Sequence, residues 1–143
     1  MITDKNFTYK LSSIRKKAFL FIETEMNKAG ITDIPPSYGD ILYLIYVLES
    51  GYIKDIVDKS KKDKSTVSNI INQLVKKGYV EKKPDPEDAR KTIVRLSVQS
   101  RDHVETMFDI SKRLKERLFK DMSEEEKSIL FLLLNKVEQN MAL

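Results

Sequence analysis

The sequence predicts a mostly α fold with one small antiparallel β hairpin, and three observations carry that prediction. Apolar residues recur at helical spacing along most of the 143 residues. One stretch, Thr92 to Ser97, alternates as a strand does. Gly and Pro number four each, too few for a linker or a disordered chain. A hydrophobic fraction of 41% supports a core, and a charged fraction of 34% lies above the globular norm.

Phe7, Leu11, Ile14, Ala18 and Phe21 recur at spacings of four and three, one stripe of a first helix. Around Phe19-Leu20-Phe21-Ile22 the helix is apolar on every side, which predicts burial all round and therefore a partner chain. Gly30 ends the segment. Pro35-Pro36 breaks the chain, and Ser37 followed by Asp40 predicts an N-cap with an acidic residue in the first turn. Ile41, Leu42, Leu44, Ile45 and Leu48 mark a buried second helix that stops at Ser50-Gly51. Ile53, Ile56 and Val57 share one face of a short third helix.

The fourth helix runs from Asp63 to Lys77. Asp63 caps it, and Gly78 closes it as a C′ glycine. Val67, Ile70, Ile71, Leu74 and Val75 form its buried stripe. At 100° per residue the opposite face is Ser65, Asn69, Asn72 and Lys76, flanked by Thr66, Ser68 and Gln73. Residues 79–83 read as a strand ended by Pro84. A polar loop follows to Lys91, then the alternating strand, with Val94 and Leu96 on one side and Arg95 and Ser97 on the other. Val104, Phe108, Leu114 and Leu118 seed a long helix ending near Met122. Ser123 to Glu126 is a capping box opening a last helix that carries Ile129, Leu130, Leu132, Leu133, Leu134, Val137 and Met141. Met26, Met107, Met122 and Met141 read as core fillers.

Charge is concentrated rather than large. The net charge is +4, yet residues 54–95 hold twelve basic and seven acidic side chains, while the flanks are neutral or slightly negative. A localised basic region is the footprint of a nucleic-acid surface. With no cysteine, thiol chemistry and disulfides are excluded. The one histidine, His103, has no second histidine to help it and reads as a surface residue. No phosphate-cradling glycine loop, metalloprotease pair or nucleophile elbow occurs, so no enzyme activity, cofactor or metal is expected. The N-terminus lacks a signal-peptide pattern, and no apolar run, Ile129 to Leu134 included, is long enough to span a bilayer. The expected location is the cytoplasm.

Three helices followed by a hairpin is the order of a winged helix-turn-helix core, and its third helix is the one that enters DNA. The outward face of helix 63–77 has no acid after Asp63. Ser65, Thr66, Ser68, Asn69, Asn72 and Gln73 carry groups that can read base edges. Lys64, Lys76 and Lys77 can reach phosphates. In the loop, Arg90 can enter the minor groove, with Asp88 placed to hold it, and Lys91 beside it can make a phosphate or wing contact.

Asp63-Lys64-Ser65-Thr66-Val67-Ser68, followed by Leu74-Val75-Lys76-Lys77-Gly78-Tyr79-Val80, resembles the recognition helix and first wing strand of the MarR family of bacterial regulators. Asp85-Pro86-Glu87-Asp88-Ala89-Arg90-Lys91, then Val94 and Leu96-Ser97, is similar to that family's wing signature. Ile34-Pro35-Pro36-Ser37 with Ile41-Leu42 resembles the start of the second helix in one branch. Two features depart from the pattern. The turn Ser60-Lys61-Lys62 lacks the usual glycine and apolar residue, and Ala89 stands where an arginine is common. The resemblance implies a core at 37–97 between dimerisation helices at 1–30 and 98–143. It implies a homodimer that regulates transcription at a near-palindromic double-stranded DNA operator, with no membrane partner. A small-molecule effector is left open. The alternative is a winged-helix module for protein docking or RNA binding without sequence-specific DNA readout; the polar and basic face of helix 63–77 argues against docking.

Overall fold

The structure is a computed structural model that describes residues 3–142. Six helices and a three-stranded sheet follow in the order α1 (Phe7–Lys28), α2 (Gly39–Leu48), β1 (Gly51–Tyr52), α3 (Ile53–Ser60), α4 (Lys64–Lys76), β2 (Val80–Pro84), β3 (Thr92–Leu96), α5 (Arg101–Leu118) and α6 (Glu124–Asn140). Two compact units divide the chain, the first ending at Ser111 and the second starting at Lys112.

In the first unit the apolar stripes converge on one core. Ile41, Leu42 and Ile45 from α2, Ile56 from α3, and Val67, Ile71 and Leu74 from α4 are fully buried. Met26 of α1, Val94 of β3 and Val104 and Ile110 of α5 also belong to it. Each large aliphatic side chain buried in this way contributes about 1.5–3 kcal/mol. The predicted stripe of α4 holds except at Val75, which is 36% exposed. Val75 lies about 80° from Val67 on the helical wheel, at the rim of the stripe.

The sheet has the order β1-β3-β2, antiparallel throughout. The hairpin pairs Val80 with Leu96 and Pro84 with Thr92. β1 is an addition to the expected hairpin: Gly51 pairs with Val94 and Tyr52 with Ile93. The sequence marks Gly51 only as a helix stop, since two residues are too few to show alternation. A Cβ at Gly51 would lie 3.0 Å from Leu48 Cδ1, so the close return of the chain after α2 favours glycine.

Several local expectations need correction. Ser37 does not cap α2; a 3-10 turn at Pro36–Tyr38 leads into the helix without a side-chain cap. Pro36 opens that turn with its φ already fixed and without an N–H that would need a partner. Ser97 is buried rather than outward with Arg95, because its hydroxyl donates to the Gly78 carbonyl at 2.6 Å. The long helix stops at Leu118, and Asp121, in the left-handed region at φ 63°, turns the chain before Ser123. Met26 and Met107 are core residues, Met122 is half-buried and Met141 is exposed.

Burial all round does not occur for α1 within one chain. Phe21 and Ile22 pack against the core, while Phe19 and Leu20 are exposed. In the second unit the capping box forms as expected: Glu126 N–H donates to Ser123 Oγ at 3.1 Å, and Ser123 N–H donates to Glu126 Oε2 at 2.8 Å. Phe119 meets Phe131 edge to face with centroids 5.5 Å apart. None of the residues of α6 is buried, and Ile129, Phe131, Leu132 and Leu133 are about half exposed.

Candidate nucleic-acid interface

The turn between α3 and α4 is built without glycine. Lys61 takes the left-handed conformation, φ 56° and ψ 18°, at the end of α3. Ser60 Oγ donates to the Val57 carbonyl at 3.0 Å and accepts from Lys62 N–H at 3.2 Å, so one hydroxyl satisfies both sides of the bend. A lysine held in the left-handed region costs about 1–2 kcal/mol relative to ordinary helix geometry.

Asp63 caps α4 as the sequence predicts. Its Oδ1 accepts from Thr66 N–H at 2.7 Å and from Ser65 Oγ at 2.7 Å, and its Oδ2 accepts from Thr66 Oγ1 at 2.9 Å. These bonds, led by the backbone N–H of Thr66, pull the Asp63 carboxyl down to about 2. They also decide what Ser65 and Thr66 can offer. Both hydroxyl protons go to Asp63, so the oxygens present lone pairs outward. At the other end Gly78, at φ 80°, closes the helix, and Tyr79 N–H bonds the Leu74 carbonyl at 2.9 Å in a Schellman arrangement.

The outward face assembles largely as expected. Ser65, Thr66, Asn69, Asn72, Lys64, Lys76 and Lys77 are exposed, while Ser68 and Gln73 are half-buried. Asn72 is tied to the wing: its Oδ1 accepts from Lys82 Nζ on β2 at 3.2 Å. The sequence carries no signal for Lys82, because nothing in the chain order places it beside Asn72. Asn69 makes no side-chain hydrogen bond among the described residues, so both ends of its amide remain available.

The wing loop carries the second set. Arg90 extends into solvent with its side chain 90% exposed. Asp88 grips it: Nε donates to Oδ1 at 3.0 Å and a terminal nitrogen donates to Oδ2 at 3.2 Å. Asp88 Oδ1 also accepts from Arg90 N–H at 3.1 Å. The Arg90 guanidinium beside Asp88 holds that carboxyl below the usual range. Across the strands Arg95 Nε donates to Glu81 Oε2 at 2.8 Å. Between α3, α4 and the loop lies an open cleft of about 950 Å³, with Lys54, Lys64, Ser68, Arg90 and Lys91 among its lining. The cleft thus brings the Ser68 hydroxyl and the cations of α4 and the wing to one groove, with Asp55 and Asp58 of α3 also in its lining.

Known proteins share this fold. A model of the family described as "MarR family" matches residues 34–92, which include α2, α3, α4 and β2. The Bacillus subtilis HTH-type transcriptional regulator YdgJ is 34% identical over 114 residues, covering 77% of this chain and 67% of that protein. Among solved structures, FabT of Streptococcus pneumoniae in complex with DNA superposes with a TM-score of 0.79 at 20% identity, covering 97% of both chains. A mutant MarR from E. coli complexed with operator DNA gives 0.75 at 20% identity, covering 95% of this chain and 99% of that one.

Proposed function

The chain belongs to the MarR family of winged helix-turn-helix transcriptional regulators, and from that premise we infer that it reads a near-palindromic DNA operator as a homodimer. The observation that carries this reading is the outward face of α4. It presents Ser65, Thr66, Asn69 and Asn72 with no acid after Asp63, beside a wing whose exposed Arg90 is paired with Asp88. A surface helix serving only solubility gains from mixed charge pairs, which this face lacks.

Two copies fit the reading. On α1, Ile14, Phe19 and Leu20 are exposed, and on α6 so are Ile129, Leu132 and Leu133. Exposed apolar faces of this size call for a covering partner. Segments 1–30 and 98–143 are therefore proposed as the dimerisation helices. A compact monomer in sedimentation at micromolar concentration would argue against the dimer.

Duplex binding is the direct test. Lys64, Lys76, Lys77, Arg90 and Lys91 on two copies neutralise roughly 6–10 phosphates, so log affinity falls steeply against log salt. A flat response, or no binding to any duplex at low salt, removes the DNA reading. Footprinting on the DNA upstream of its own gene identifies the operator. Control by a small-molecule effector belongs to the same reading and rests on family resemblance. Its check is a compound that raises the melting temperature and releases the duplex together.

A further inference from the structure

Beyond Pro84 and Thr92 the strand ladder of the wing ends. Between them, Pro86, Glu87, Ala89, Arg90 and Lys91 are exposed. A loop of this kind ordinarily wanders. Here it closes on itself and on β1. Asp85 N–H donates to the Lys91 carbonyl at 3.0 Å, and Lys91 N–H donates to the Asp88 carbonyl at 2.9 Å. Asp85, unlike its neighbours, is buried at 7% exposure. Its Oδ1 accepts from Glu87 N–H at 2.9 Å. Its Oδ2 accepts from the phenol of Tyr52 at 2.5 Å. Lys91 Nζ lies 5.1 Å from the centroid of the same Tyr52 ring.

Tyr52 is the last residue of β1 and leads directly into α3. The phenol thus joins the root of the wing to the start of the helix-turn-helix. Its bond lowers the Asp85 carboxyl below the ordinary range and raises the phenol, so the ionised acid and neutral phenol stay paired across neutral pH.

We propose that Tyr52 is a positioning residue for DNA binding: its hydroxyl, through Asp85, sets where the wing carries Arg90 relative to α4. The proposal rests on the DNA-binding reading above. Without the hydroxyl, Asp85 loses its only side-chain donor among the described residues, and the loop regains freedom that binding must then remove.

Tyr52→Phe deletes the hydroxyl and keeps the ring under Lys91. Two measurements read it. Limited trypsin digestion of the whole protein should cut after Arg90 or Lys91 faster in the variant, while the melting temperature shows the core still folded. Duplex affinity should fall roughly three- to tenfold, the scale of ordering one or two side chains on binding. Against an Arg90→Ala background the same change should add little, whereas against Asn69→Ala it should add in full. Should Tyr52→Phe fail to fold, Asp85→Asn interrupts the ionised half of the contact, keeps an acceptor for the phenol, and should fall between wild type and Asp85→Ala in both measurements. Unchanged cleavage overturns the clamp. Faster cleavage with unchanged affinity, or full additivity with Arg90→Ala, overturns its role in binding. A wild-type protein that binds no duplex overturns the underlying reading and this inference with it, while leaving the cleavage comparison to report on the contact alone.

Discussion

The Tyr79 phenol donates a 2.8 Å hydrogen bond to Asp33 Oδ1, joining residues 46 positions apart. Tyr79 directly follows the closing turn of α4, and Asp33 lies between α1 and α2. Tyr79 is 3% exposed, so the bond fixes the exit of α4 to the segment after α1. With its proton committed to Asp33, the phenol oxygen can accept from His103 Nδ1, 3.3 Å away.

Tyr79→Phe should therefore keep the packing and lose the bond. The expected cost is about 1 kcal/mol, read as a lower urea midpoint at unchanged slope. Burial first, and Asp33 second, raise the phenol above its ordinary value. Above about pH 10 the unfolded chain releases this proton while the folded chain keeps it. Stability is then complete below pH 10 and falls as pH rises beyond it, by at most about 1.4 kcal/mol per unit. The variant should lack that part of the alkaline slope. An identical slope in both proteins would remove Tyr79 as its source.

Asp63 gives the opposite sign at the acid end. Its carboxyl is ordinary at 3.8 in the unfolded chain and near 2 in the folded one. The ionised cap contributes stability above about pH 4, and that contribution is lost as pH falls towards 2. Asp63→Asn retains a capping oxygen but cannot titrate. Wild type should melt higher at pH 6 and lose that advantage by pH 2. Calorimetry across the interval checks it, and a constant difference would mean that the charge on Asp63 plays no part.

Local signals carried most of the fold. The cap at Asp63, the glycine at 78 and the box at Ser123 each lie within a few residues of what they bond, so spacing alone reveals them. The core of α2 to α4 follows from helical periodicity in the same way. What stayed hidden depends on distant partners. Tyr52 and Asp85 are 33 positions apart, and Asn72 and Lys82 belong to different elements. Ser65 and Thr66 read as free hydroxyls until Asp63 is seen to take both protons. The periodic pattern of α1 and α6 is plain, but within one chain α1 buries only Met26 and α6 buries none of its residues.

Lys61 offers a test of the turn itself. A lysine in the left-handed region is strained, and glycine there is not. Lys61→Gly gains roughly 1 kcal/mol or more from relief of strain and loses about 0.4–1 kcal/mol through the freer unfolded chain. The expected net is a stabilisation of about 0.5 kcal/mol, seen as a higher urea midpoint. Lys61→Ala keeps the strain and should change little. Equal gains from both variants would point to the lost charge rather than the backbone.

Substitutions on α4 and the wing can separate reading from anchoring on the proposed DNA interface. Asn69 and Asn72 both face outward on α4, but they are not equivalent. Lys82 occupies Oδ1 of Asn72, which leaves chiefly the amide nitrogen to donate, whereas Asn69 keeps both donor and acceptor. Reading adenine through two bonds needs both ends of the amide. Asn69→Ala should therefore lose roughly 1–3 kcal/mol at the cognate site and much less on random duplex. Asn72→Ala should lose less at the cognate site than Asn69→Ala. Arg90 sits exposed on the wing, paired with Asp88, and contacts suited to phosphate or groove potential carry little sequence information. Arg90→Ala should weaken cognate and random duplex alike and make the salt dependence shallower. Titrations of the three variants on both duplexes, at two or more salt concentrations, supply every comparison. If Asn69→Ala weakened both duplexes equally, the outward face of α4 would not be the element that reads sequence, although the winged helix would stand.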